Sequence, residues 1–211
     1  MQSGIPRGEI FVISAPSGTG KTTLCRRVCG EVDGLVYSVS HTTRVRRSGE
    51  VEGRDYFFVS EPVFRSMSER GEFLEWAQVY GHCYGTSRKW VESQLERGLD
   101  VIMDVDAQGA QLLRSAHVRT HQIFVLPPSW EALTERLSGR GTDSLREMRI
   151  RLQWAKEELK AWEKFDYVVF NGDLDVAVRD LASIILSQRC RMERVKPWID
   201  GQSGRWVRSE G

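Results

Sequence analysis

The stretch SAPSGTGKTT, residues 14–23, sets two glycines, a lysine and three threonines between an apolar run and a leucine. Its pattern is Gly-x-x-x-x-Gly-Lys-Ser/Thr with Ala15 in the place of the first glycine, and a strand pattern precedes it while a helix pattern follows. Gly18 and Gly20 permit positive φ, which lets successive backbone N–H groups turn inward as an anion nest, and the helix starting near Lys21 adds its positive end. The chemistry on offer is polyphosphate binding. Ala15, Pro16, Ser17, Gly18, Thr19, Gly20, Lys21, Thr22 and Thr23 form the nest, with the Lys21 ammonium against the β- and γ-phosphates and the Thr22 hydroxyl offered to Mg²⁺.

Two further groups could act on the same ligand. Asp104 and Asp106 close the run VIMDVD, where strand alternation turns both carboxylates to one side at the carboxyl edge of a sheet. A pair capping the next helix is the structural alternative, with more weight for Asp106 than for Asp104. Arginine outnumbers lysine 24 to 6, and a guanidinium holds phosphate through two parallel bonds where an ammonium offers a point charge. A coding bias explains that ratio as well, so an arginine counts only inside a motif.

These groups need a scaffold that brings strand ends together. Residues 9–14 (EIFVIS), 100–105 (DVIMDV), 122–126 (QIFVL) and 167–170 (YVVF) are short apolar runs, and 21–29 and 174–187 read as helices, the second with Ala177, Leu181, Ile184 and Ile185 on one face. Buried strands separated by helices predict an α/β fold with a parallel sheet covered on both sides. Residues 37–88 break the pattern: polar, rich in Arg, Ser and Thr, with alternating segments at 55–60 and 73–78, they predict a small mixed or antiparallel insertion. Residues 136–151 are a second break, after which Ser144 and Glu147 form a capping box for a long helix with Leu145, Met148, Leu152, Ala155, Leu159 and Trp162 on its apolar face.

The chain of 211 residues is long enough to bury one substantial core, and its net charge of +1 gives no global attraction to nucleic acid or to a membrane surface. No apolar run approaches the roughly 20 residues of a membrane span, and the first residues lack the order of a signal peptide. Cys25, Cys29, Cys83 and Cys190 show no paired spacing, so free thiols in a reducing, cytoplasmic compartment are expected.

A phosphate loop alone does not separate a kinase from a switch or a motor. SHTTRVRRSGEVEGRDYFFVS (40–60), GEFLEWAQVYGHCYGTS (71–87), VIMDVDAQG (101–109) and RLSGRGTDS (136–144), in this order, resemble the guanylate kinase family from about residue 8 to 185. The resemblance implies a nucleoside monophosphate kinase that makes GDP and ADP from GMP and ATP with Mg²⁺. It also implies a P-loop core (1–36, 89–130 and 155–211), a GMP-binding insertion (37–88) and a helical lid (131–154).

By the same resemblance, Arg44, Arg47 and Tyr56 hold the GMP phosphate with Tyr84 nearby, and Ser40, Glu75 and Thr86 read guanine. A carboxylate such as Glu75 can accept from guanine N1–H and the exocyclic amine together, while a hydroxyl can donate to O6. Asp104 is assigned to the water shell of Mg²⁺ and Asp106 to the guanine amine, although the sequence does not fix that division. Arg136, Arg140 and Arg151 match lid arginines over the ATP phosphates, with Arg146 and Arg149 weaker candidates. Asn171 matches a position near the adenine, where a turn before a helix would also favour it. The acceptor is already ionised at pH 7, so no general base is assigned.

Two other classes share parts of the pattern. A non-catalytic, protein-binding module on this fold would not need Lys21, Thr22, Arg44, Arg47 and Asp104 together, and a ribose bisphosphate kinase would not need Glu75 and Thr86. ATP and GMP are the expected partners, without nucleic acid or membrane; monomer and homo-oligomer both remain open. Residues 189–211 run past the family pattern and are expected to form a frayed extension, the alternative being a packed arm or a subunit contact through Trp198 and Trp206.

Overall fold

The computed structural model describes residues 6–79, 81–138 and 145–201, with the backbone alone at 138 and 145–151. In chain order the strands are β1 (Ile10–Ser14), β2 (Leu35–Tyr37), β3 (His41–Thr42), β4 (Phe57–Phe58), β5 (Phe73–Val79), β6 (His82–Ser87), β7 (Asp100–Asp104), β8 (His121–Leu126) and β9 (Tyr167–Phe170). The helices are α1 (Lys21–Glu31), α2 (Glu61–Glu69), α3 (Arg88–Glu96), α4 (Ala107–Ser115), α5 (Trp130–Ser138), α6 (Leu145–Leu159), α7 (Leu174–Arg189) and α8 (Met192–Asp200).

Five strands form a parallel sheet in the order β2-β7-β1-β8-β9. All five residues of β1 are buried, as a central strand covered on both faces requires. Strand alternation sorts its side chains between two cores. Phe11 and Ile13 pack with Leu24 and Val28 of α1 and with Val178 and Leu181 of α7. Ile10 and Val12 pack with Val91 and Leu95 of α3 and with Ala110 and Leu113 of α4. The expected α/β architecture is the one observed, and the four expected strands recur within a residue of their ends.

The insertion is a separate, mixed sheet in the order β4-β3-β6-β5, in which β3 and β4 are parallel and the other pairs antiparallel. Its hairpin sets Glu75 opposite Thr86. Of the segment expected at 55–60, only Phe57–Phe58 forms a strand.

Two expectations require correction. Helix α6 ends at Leu159, so Trp162 does not extend its apolar face; it opens a 3-10 turn, 45% exposed. The chain beyond residue 189 is not frayed as far as Asp200. It forms α8, and Arg194 from that helix donates to both carboxylate oxygens of fully buried Asp100 at 2.7 and 3.3 Å, beside Arg189 at 2.7 Å. Ser144, the expected cap of α6, and Trp206 lie outside the described residues.

Candidate phosphoryl-transfer site

The site lies where β1 and β7 end. The loop from Ala15 to Gly20 joins β1 to α1; Gly18 and Gly20 take φ of 88° and 89°, and Thr19 bonds back to the Pro16 carbonyl through both its hydroxyl and its N–H. A side chain at either glycine would be strained in that left-handed region. The loop is braced from behind: the Thr19 carbonyl accepts from Asn171 Nδ2 at 2.7 Å and from Arg136 Nη1 at 3.3 Å. Arg136, in the last turn of α5, also donates to the Asn171 carbonyl. Both residues therefore contact the loop through its backbone.

At the front of the loop, Lys21 Nζ lies 2.7 Å from Asp104 Oδ1 and 2.6 Å from the Val105 carbonyl. Burial pulls the Lys21 pKa down, but the Asp104 carboxylate outweighs it and the net displacement is upward. The ammonium is charged across the physiological range. Thr22 Oγ1 donates to Asp104 Oδ2 at 2.7 Å, and the Tyr37 hydroxyl approaches the same oxygen at 3.4 Å. Thr22 and Asp104 thus present oxygen donors side by side, a set suited to a hard cation that keeps most of its waters. Among the described residues no three His, Cys, Asp or Glu side chains form a metal cage.

Facing the loop, the insertion presents a cationic and aromatic wall. The Arg44 guanidinium lies over the Tyr56 ring at 5.4 Å and the Phe58 ring at 6.0 Å, and donates to Glu50 Oε1 at 2.6 Å. Glu50 Oε2 takes the Arg47 backbone N–H, so one carboxylate fixes both arginine positions. Tyr84 packs edge-on against Tyr56 at 5.8 Å. Burial lifts the Tyr56 phenol to about 12, which leaves a neutral hydroxyl beside the arginines.

Loop and wall line one cleft of about 390 Å³ that holds residues 15–23, Arg44, Arg47, Tyr56, Tyr84, Asp104 and Asp106. It adjoins a pocket of about 130 Å³ lined by Ser40, Glu75, Tyr84 and Asp106. Glu75 is 8% exposed, not the half-exposed strand residue that its pattern alone suggests. Its Oε1 accepts from the Thr86 hydroxyl at 2.6 Å. Burial raises the Glu75 carboxyl to about 7, opposed by the Thr86 bond. Asp106 caps α4, accepting from Gly109 N–H at 2.8 Å, so the structural alternative foreseen for it is realised while it also lines both cavities.

The structure also brings in residues that the sequence did not single out. Tyr37, Arg26, Glu50, Asp55 and Glu158 line the cleft. Glu158 accepts from the Ser17 N–H at 3.2 Å, and burial raises its pKa. A carboxylate one position before Leu159 and three after Ala155, on the apolar side of α6, is the signal that could have found it. Arg140 lies outside the described residues; Arg151 is placed on α6 by its backbone alone.

Comparison with known proteins points to one family. A family model described as guanylate kinase matches residues 7–188. A guanylate kinase of Thermotoga maritima is 46% identical over 194 residues, covering 92% of this chain and 94% of that protein. One from Dechloromonas aromatica is 48% identical over 178 residues, 84% of this chain and 88% of the relative. The crystal structure of a guanylate kinase from Anaplasma phagocytophilum superposes with a TM-score of 0.78 at 29% identity, covering 97% of this chain and 99% of that one.

Proposed function

The chain belongs to the guanylate kinase family and makes ADP and GDP from ATP and GMP; on that premise we propose which residues carry the transfer. The observation that supports the assignment is the single cleft lined at once by the Lys21 loop and by the Arg44–Tyr56–Tyr84 wall. A dianionic acceptor and a polyphosphate donor both need local positive charge, and the cleft supplies it from two sides.

In this reading the N–H groups of residues 15–23 and the Lys21 ammonium bind ATP, and Arg44 and Arg47 hold the GMP phosphate with Tyr56 and Tyr84 beside it. Ser40, Glu75, Thr86 and Asp106 face the guanine. Mg²⁺ would enter with ATP and be held by Thr22 and, through water, by Asp104; it supplies charge neutralisation on the donor phosphates. Asn171 and Arg136 keep the loop carbonyl of Thr19 turned away from the phosphates, which leaves the loop N–H groups pointing at them. Arg140 and Arg151 are assigned to the lid that closes over the donor. The core, 1–36, 89–130 and 155–211, then carries the donor, the insertion 37–88 the acceptor, and 131–154 the lid.

The acceptor oxygen is ionised at neutral pH, so the protein has little proton chemistry to perform. Catalysis is positioning and charge compensation, with closure excluding the water that would otherwise take the γ-phosphoryl group. No helix among the described residues is long and apolar enough to cross a membrane. Four unpaired cysteines support a reducing, cytoplasmic compartment.

The experiment is kcat/KM for GMP and AMP, with MgATP saturating, in the wild type and in Glu75→Gln. Guanine offers Glu75 two parallel donors, whereas adenine has an acceptor at N1 and only C–H at C2. Glu75→Gln is expected to cost GMP about 2–4 kcal/mol of transition-state stabilisation and AMP little. An unchanged GMP-to-AMP ratio would remove Glu75 as the base reader.

A further inference from the structure

Arg26 stands one helical turn beyond Thr22 on α1, the helix that grows out of the phosphate loop. Its guanidinium crosses the cleft to the insertion, donating to Asp55 Oδ1 at 2.7 Å and to the Arg54 carbonyl at 3.1 Å. The same guanidinium lies 5.8 Å from the centre of the Tyr37 ring, whose hydroxyl reaches Asp104. Asp55 also takes the Val51 N–H at 2.8 Å and the Arg54 guanidinium, and it directly precedes Tyr56 of the acceptor wall. The Val51 N–H and the two guanidiniums hold its carboxyl below the usual range, so it is ionised whenever the enzyme works. Thr22 and Asp104 at the donor are thereby joined through Tyr37 and Arg26 to Asp55 and Tyr56 at the acceptor.

We propose that Arg26 is a positioning residue for the acceptor: its bridge to Asp55 sets the distance and angle between the donor helix and the GMP-binding insertion. The inference rests on the reading that the Arg44–Tyr56–Tyr84 wall holds the GMP phosphate. In-line transfer depends on that separation, because a reacting pair displaced by about 1 Å loses rate steeply. The donor loop and the acceptor wall belong to different sheets, and the Arg26 guanidinium is bonded directly from α1 to residues 54 and 55 of the insertion. One guanidinium with two acceptors and a ring beneath it is rigid enough to act as a strut, where a lone exposed ion pair would not be.

The test uses the full chain and steady-state kinetics with each substrate varied separately. Arg26→Gln keeps most of the stem over Tyr37 and removes the charge, Arg26→Lys keeps a charge that can reach one carboxylate oxygen, and Asp55→Asn removes the partner's charge. Arg26→Gln is expected to lower kcat/KM for GMP about fivefold, the scale of a partly exposed ion pair, with KM for ATP within about twofold of wild type. Arg26→Lys is expected to recover most of the loss. The double variant should be no worse than the more impaired single variant, because both remove one bridge.

Fully additive losses would mean that Arg26 acts on the nucleotide itself, and equal shifts in KM for both substrates would mean a general effect on the fold; either overturns the inference. Arg44→Ala, run in the same series, separates the two levels. An unchanged KM for GMP there overturns the acceptor reading, whereas a raised one beside a wild-type Arg26→Gln overturns the Arg26 inference alone.

Discussion

Arg194 and Asp100 meet in a buried, two-pronged contact: Nη2 donates to Oδ1 at 2.7 Å and Nη1 to Oδ2 at 3.3 Å, with 8% and 1% of the side chains exposed. Asp100 opens β7, the strand that ends at Asp104 in the cleft, so the C-terminal helix α8 is tied to the foot of the strand whose head lines the cleft. Arg189 and the Glu9 N–H satisfy Asp100 further.

The first prediction concerns this tie. Arg194→Ala strips one cation from a carboxylate that has no access to water, a loss of about 3 kcal/mol where a buried pair is broken, softened here by Arg189. Thermal unfolding should shift down by roughly 6–12 °C, at about 2–4 °C per kcal/mol for a chain of this size. Turnover at 25 °C should be unchanged, since α8 does not line the cleft. A melting curve identical to wild type would return α8 to the frayed extension expected from sequence.

The second concerns the acceptor wall. Arg44 is held by Glu50, by the Val45 carbonyl and over the Tyr56 ring, so its fork is oriented in advance. Arg44→Ala removes a charge-assisted contact of about 1.5–3 kcal/mol, and GMP affinity should fall about tenfold or more. Guanosine, without the phosphate, should bind wild type and variant alike in calorimetry. Weaker guanosine binding in Arg44→Ala would mean that Arg44 shapes the base pocket.

The sequence announces what the backbone itself builds and hides what only tertiary contact creates. The four apolar runs, the Gly18–Gly20 loop and the helices at α1 and α7 are local patterns, and they recur with nearly their expected ends. Helix α8 contains Pro197 and buries no residue fully even though Met192, Val195 and Ile199 recur at spacings of three and four, so its short pattern says little and its place is set by the Arg194–Asp100 contact, 94 residues apart in sequence. Helix α4 is short and carries Gly109 in its first turn, which masks it. Glu75 reads as a half-exposed strand residue from its pattern alone, yet it is buried, with Gly109 of α4 close to its carboxylate. Arg26, Asp55 and Glu158 are ordinary helix and loop charges until the fold brings their partners across.

The third prediction follows from that packing. A Cβ on Gly109 would stand 2.8 Å from Glu75 Oε2 and 3.3 Å from Asp106 Oδ1. Glycine to alanine inside a helix ordinarily gains about 1 kcal/mol. Here the methyl group must push the Glu75 carboxylate aside. Gly109→Ala is expected to lower kcat/KM for GMP about tenfold or more, since misplacing a reader by a fraction of an ångström costs orientation. KM for ATP should be unaffected. Wild-type GMP kinetics in this variant would show that Glu75 can move without consequence, and its assignment to guanine would lose its geometric basis.

The last prediction is the pH dependence of guanine recognition. Burial, with a smaller push from Asp106, lifts the Glu75 carboxyl from its ordinary 4.5 to about 7. Guanine presents two donors, so it binds the ionised carboxylate and is refused by the acid, which carries a donor of its own. Base affinity should therefore be level above about pH 7 and fall up to tenfold per pH unit below it, as binding comes to require release of one proton. The phosphate of GMP titrates near pH 6 by analogy with other phosphate monoesters, so guanosine is the probe that isolates Glu75.

Stability moves the other way. Between about pH 4.5 and pH 7 the folded chain keeps a proton that the unfolded chain gives up, so the contribution of Glu75 to stability grows as pH falls through that window and is lost as pH rises through about 7. Guanosine titrations and melting curves of wild type and Glu75→Gln from about pH 5.5 to 8 report both signs. Glu75→Gln has no proton to exchange and should flatten both profiles. A wild-type guanosine profile already flat through pH 7 would place the Glu75 carboxylate outside the base pocket or leave it ionised throughout, and either result removes the proton linkage.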